Sequence, residues 1–147
     1  MSISLADFPV VYEQDTQFSD LDPLKHVNNK AIVTYYENAR TRLFMKLFDG
    51  GIFINDKGEP MNAVLVEVTV RYRQEVLFPN AVTTGSAVTK IGSSSFAIHQ
   101  KLYQQGIECG SCDTVMVAIS NGKSHPIPIA VRERMQQYSI CLLYTSD

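Results

Sequence analysis

Apolar side chains recur along residues 30–48 at Ile32, Tyr36, Ala39, Leu43 and Leu47, the spacing of one helical face. Val33, Phe44 and Phe48 widen that face, which predicts a helix buried around most of its circumference. Gly50-Gly51 stops it, and Asn55-Asp56-Lys57-Gly58-Glu59-Pro60 reads as a turn. Beyond Pro60 the period falls to two. Val64, Val66, Val68, Val70 and Tyr72 alternate with Leu65, Glu67, Thr69, Arg71 and Arg73, which predicts a strand with one dry face. Residues 82–91, 95–103 and 114–120 read as further strands, divided by turns at Gly92-Ser93 and Gln104-Gln105-Gly106, and residues 9–18 as a first one.

A long helix with so much apolar surface needs a wrapper, and short connections make antiparallel strands the natural one. The expected architecture is therefore α+β: a strongly curved, antiparallel five-stranded sheet around one long central helix. Such a sheet leaves an open edge, which a second copy of the chain can cover by continuing it. From Pro128 onward the chain reads either as a short outer helix or as a last element at an interface.

The 147 residues fit one domain, 1–147, with 45% apolar content. Thirteen basic against fifteen acidic residues give a formal charge of −2, and no basic tract offers a nucleic-acid footprint. No apolar stretch reaches the length of a membrane span, and the first residues lack the pattern of a secretory leader, so a soluble cytoplasmic protein is expected. Three cysteines are an odd number for a disulfide framework. Cys109 and Cys112 lead into a strand rather than a helix and have no second pair to complete a zinc site, so they read as free thiols, as does Cys141. His26, His99 and His125 show no metal-ligand spacing, and no metal is expected.

The densest chemistry lies in residues 18–42, FSDLDPLKHVNNKAIVTYYENARTR. Asp20, Asp22, His26, Asn28 and Asn29 surround a helix N-terminus, where unpaired amides can stabilise a developing oxyanion. Acyl transfer or hydrolysis is the sharp reading of this pattern, and a capped helix start with ordinary turn residues is the plain one. Asp22, followed by Pro23, reads as a loop organiser.

FSDLDPLKHVNN followed by YYENAR resembles the acyl-CoA thioesterases of the hotdog fold, the group that contains the 4-hydroxybenzoyl-CoA thioesterases. The resemblance continues through Val70-Arg71-Tyr72, residues 88–96 and the turn of residues 122–128, nearly the whole chain. It implies a sheet wrapped around a central helix, homodimers with sites at the subunit interface, and dimers of dimers. It also implies that Asp20 is the catalytic carboxylate, attacking the thioester carbonyl or activating water. His26 would orient that carboxylate, handle protons or bind the acyl carbonyl, and Asn28 and Asn29 would cap the helix or flank the oxygen-binding amide. Lys25 stands where such proteins often carry glycine, and Ile32 where tyrosine is frequent.

A second branch of the group places its carboxylate on the central helix, which makes Glu37 a further catalytic candidate. Its alternative is a structural pair with Arg40, three residues on. The implied substrate is an acyl-CoA, with no separate cofactor. Arg71, Arg73, Lys90, Lys101 and Arg132, with Ser93 and Ser94 at the Gly92 turn, are the candidate partners of coenzyme A. The alternatives are a carrier-protein thioesterase, a hotdog dehydratase and a protein that binds an acyl thioester or another hydrophobic ligand without turning it over.

Overall fold

The computed structural model describes residues 3–140. Strand β1 (Val10–Gln14) leads through a single 3-10 turn (Phe18–Asp20) and a loop to helix α1 (Asn29–Leu47). Strands β2 (Asn62–Tyr72), β3 (Val82–Ile91), β4 (Ser95–Gln104), β5 (Ile107–Ser120) and the short β6 (Lys123–Ser124) follow, then helix α2 (Ile129–Gln137). The sheet order is β1-β3-β4-β5-β2, with β6 beside β5 and every strand pairing antiparallel. This is the curved α+β sheet expected from the sequence.

Helix α1 buries Ile32, Tyr36, Ala39, Leu43 and Leu47, as its periodicity predicts. It does not bury Val33, which is 43% exposed, because Tyr35, Tyr36, Ala39 and Arg40 complete the inward face instead. Two apolar clusters form beneath the helix. One gathers Leu43, Leu47, Phe48, Phe53, Phe96, Ile98 and Met116 near the helix C-terminus. The other holds Ala31, Ile32, Tyr35, Tyr36, Leu102 and both strand cysteines near its N-terminus. A polar layer lies between them. Arg40 Nη1 donates to Gln100 Oε1 (3.3 Å) and Thr114 Oγ1 (3.2 Å), while Gln100 Nε2 donates to Tyr36 O and Ser86 Oγ, both at 2.9 Å.

Strand β5 begins seven residues before the expected start at Thr114, so the Cys109/Cys112 pair lies inside a strand. Both thiols are buried and free, and burial pushes both up from the ordinary thiol range, which keeps them protonated and unreactive. Cys141 lies outside the described residues. The turn before β5 uses Gln105 and Gly106 at φ 51° and 79°, the paired left-handed geometry of a tight hairpin. Within the chain, β2 has no dry face. Val64, Leu65, Val66, Val68 and Tyr72 are between 37% and 57% exposed, because β2 is the sheet edge and no described element of the chain covers it. The expected outer helix at the C-terminal end is α2, whose Val131 and Met135 seal the first cluster. Among the described residues, no helix is long and apolar enough to cross a membrane.

Candidate active site at the start of the central helix

Asn28 caps α1: its Oδ1 accepts the amide of Ala31 at 2.8 Å. The first-turn amides that follow have no acceptor within the helix and lie at the positive end of its dipole. The preceding loop is fixed from inside. Asp22 Oδ1 accepts the amides of Leu24 (3.0 Å) and His26 (3.1 Å), and Asp22 N donates to His26 O at 2.9 Å. Asp22 is thus the loop organiser the sequence suggests. Lys25 closes the loop at φ 67°, a left-handed conformation that glycine adopts without penalty.

Two cavities flank this helix start, and they divide the candidate residues. The first, about 420 Å³, includes Asp20, Asn28, Lys30 and Tyr35 in its wall. Here Tyr35 OH donates to Asp20 Oδ2 at 3.4 Å. Burial, and then the neighbouring Asp20 charge and hydrogen bond, push the Tyr35 phenol up to about 12, so it remains a donor. The second cavity, about 320 Å³, includes Asp22, His26, Asn29, Ile32, Arg73 and Glu75. Its imidazole pairs through Nε2 with Glu75 Oε2 at 2.7 Å.

Asp20 and His26, which the sequence reading joins in one mechanism, therefore line different cavities; the second cavity brings His26 together with two other carboxylates, Glu75 at its imidazole and Asp22 at its backbone amide. The 3-10 turn ends at Asp20 and re-aims the chain before the Leu21–Val27 bridge closes the loop. Glu75 had no signal in the sequence as a site residue. Val27 N bonds to Val76 O, and the amides of Arg73 and Gln74 both reach Cys109 O, the extra residue of a β5 bulge. Those backbone bonds bring the segment after β2 against the helix start.

The remaining candidates stand apart from both cavities or already have partners. Glu37 is exposed on α1, and its expected pairing with Arg40 does not form, because Arg40 turns into the sheet. Arg71 pairs with Asp113 (3.0 Å), Arg73 with Glu108 (3.2 Å) and Lys101 with Glu108 (2.9 Å). The β2–β5 and β4–β5 registers set these bases beside acids, a relationship the linear sequence does not display. Lys90 is exposed next to the β3–β4 turn. In that turn Ser94 O accepts the amide of Ala118, while Ser93 O accepts those of Ile127 and the Arg132 guanidinium.

A curved antiparallel sheet wrapped around a long helix is the architecture of the hotdog fold. A family model described as the thioesterase-like superfamily matches residues 16–135, and the chain belongs to that superfamily. Among solved structures, it is similar to a thioesterase from Thermus thermophilus complexed with coenzyme A and zinc. The two are 30% identical over 90% of this chain and 95% of that one, with a TM-score of 0.78. A predicted thioesterase from Bacillus stearothermophilus shares the fold at 22% identity, 90% and 97% coverage and a TM-score of 0.78. No curated protein matches the chain.

Proposed function

We propose that the chain, as one domain over residues 1–147, hydrolyses an acyl-CoA thioester to a carboxylic acid and free coenzyme A. The observation that carries this reading is the second cavity, where Asp22, His26 and the Asn29 helix start meet in a member of the thioesterase-like superfamily. Two amides hold Asp22 Oδ1, so its other oxygen is the one available for chemistry. In one route that carboxylate takes a proton from water while the water oxygen bonds to the thioester carbon. In the other the carboxylate itself attacks, and water then hydrolyses the mixed anhydride. Both routes break the C–S bond, and the departing thiolate takes up a proton. First-turn amides of α1 stabilise the oxyanion, and His26, steadied by Glu75, handles protons. Asp20, the carboxylate the family resemblance favours, is the competing assignment, and Glu37 stands third because it is exposed outside both cavities.

A coenzyme A ester is favoured over a carrier-protein ester because the Thermus thermophilus relative binds coenzyme A. The exposed apolar edge of β2 supports a homodimer in which two β2 strands pair. Lys90, Ser93 and Ser94 lie toward the β2 start, since Ser94 bonds to Ala118 and Ala118 pairs with Ala63. Antiparallel pairing then carries them toward the other copy's second cavity, as partners for coenzyme A. Release of free thiol from short, medium, long and aromatic acyl-CoAs tests the reading, with the matching carrier-protein esters run beside them. Turnover of at least one acyl-CoA is expected, and a folded dimer inactive across the panel overturns it.

A further inference from the structure

The first cavity, about 420 Å³, takes no part in the chemistry proposed above, although it falls in the size range of small-molecule sites, about 300–1,000 Å³. Unlike most such sites it is polar: Ala31 apart, every described side chain in its wall carries a polar group. The fold holds three of these groups in place. The Tyr35 phenol, 5% exposed, donates to Asp20 Oδ2 at 3.4 Å and leaves Oδ1 as an open acceptor. The Ala31 amide binds Asn28 Oδ1 at 2.8 Å, so the Asn28 Nδ2 group is left to donate. Gln14 is pinned at both ends, by Nε2 to Tyr35 O (2.9 Å) and by Oε1 from Asn38 Nδ2 (3.0 Å), which leaves Asn38 Oδ1 to accept. Two planar acceptors and a donor are thus fixed beforehand by bonds to their other atoms, which removes much of the ordering cost of binding a partner.

The charges in the wall narrow the choice of partner. Asp15 and Asp20 share the cavity with Lys30, and none of the three forms an ion pair among the described residues. A simple cation is repelled by Lys30 and a simple anion by two carboxylates. An apolar ligand strips the wall of water and returns no hydrogen bond. A neutral ligand whose groups both donate and accept meets none of these penalties. Hydroxyl does both, and hydroxyls on adjacent carbons suit the planar carboxylate and carboxamides of this wall. We infer that the cavity binds a neutral polyhydroxylated small molecule, a sugar ring or the ribose of a nucleoside, whose hydroxyls donate to Asp20 Oδ1 and Asn38 Oδ1 and accept from Asn28 Nδ2. Asp20 and Asn28 are also the two ends of the loop that carries Asp22 and His26, because Asn28 N donates to Asp20 O at 2.9 Å. The occupant thereby bridges the closure of that loop from the side away from the second cavity. It takes no part in thioester chemistry, so the site stands or falls apart from the hydrolase reading.

NMR titration of the full chain tests this, with hexoses, pentoses, inositol and ribonucleosides as probes and methylammonium, acetate and glycine as charged controls. At least one polyhydroxylated compound is expected to give saturable shifts in the side-chain amide resonances of Asn28 and Asn38. Its affinity is expected to be the same at low and high salt, since salt does not screen a neutral partner. Binding of a ribonucleoside but not of its dideoxy form identifies ribose as the source, and binding of a monosaccharide or inositol alone identifies a free sugar. Asn38→Leu, which removes one preset acceptor, is expected to weaken binding about tenfold. Asn38 also holds Gln14, so a second variant leaves that bond in place: Thr34→Trp fills the cavity from an exposed helix position and is expected to abolish binding. The dispersion of the same spectra reports folding, and Asn38→Leu suffices should Thr34→Trp fail to fold. No saturable shift from any polyhydroxylated probe, binding confined to the charged controls, or full-strength binding in either folded variant overturns the inference.

Discussion

Asp22 accepts the backbone N–H of His26 at 3.1 Å, so the carboxylate and the imidazole that share one cavity are locked together by a single loop. The loop amides occupy one carboxylate oxygen and leave the other free. A side chain that shapes a turn thereby keeps its second carboxylate oxygen clear of those loop bonds, beside the helix N-terminus.

Lys25 closes that loop at φ 67°, where an L side chain is strained by about 1–2 kcal/mol. Lys25→Gly is expected to relieve part of this strain and stabilise the fold by up to about 1 kcal/mol, the rest being offset by the freedom glycine gains when unfolded. Lys25→Val is expected to destabilise it. Urea denaturation midpoints of the two variants check the opposite signs.

Gly110 lies on β5 directly opposite Tyr72 of its sheet neighbour β2. A Cβ there would collide with Arg71 O and stand 3.4 Å from Tyr36 OH. Backbone in a paired strand cannot yield as a flexible side chain would, so Gly110→Ala is expected to cost about 1–3 kcal/mol. The same strain would disturb the Cys109 bulge that holds the segment carrying Glu75. Thermal unfolding checks the stability loss, and a weakened His26–Glu75 contact should appear as a shift in the His26 ring resonances.

Stability is expected to fall under acid through Asp113. Burial alone would push its carboxyl up, but the His99 hydrogen bond and charge, together with Arg71, outweigh that and hold it below the ordinary value of 3.8. A depressed folded value contributes stability that is complete above the unfolded value and lost as pH falls through the folded one. Asp113→Asn should therefore reduce stability at neutral pH and flatten its decline below about pH 4. Denaturant titrations at several pH values decide the point.

Much of the architecture was legible because it follows from periodicity. The buried face from Ile32 to Leu47 and the edges of β3 are where the three-to-four and two-residue spacings put them. The wider apolar face suggested by Val33 does not form, because the buried arc runs through Tyr35 and Arg40; that turns Arg40 into the sheet and leaves Glu37 exposed without it. The alternation of β2 was equally clear, but periodicity does not say what covers a strand, and here no described element of the chain does. The residues around the helix start were found as a group. Their division between two cavities was hidden because it depends on a 3-10 turn ending at Asp20, and Glu75 was hidden because only a bulge in a distant strand brings it near.

The central claim, that the reacting carboxylate is Asp22, is tested most directly by comparing Asp22→Asn with Asp20→Asn on the best acyl-CoA of the panel. Asparagine keeps a side-chain oxygen for the Leu24 and His26 amides, so Asp22→Asn holds the loop while removing the charge. Turnover in Asp22→Asn is expected to fall by about 10²-fold or more, with fold and dimer intact, while Asp20→Asn stays near the wild-type rate. Normal turnover in Asp22→Asn, or an equal or larger loss in Asp20→Asn, would contradict the account.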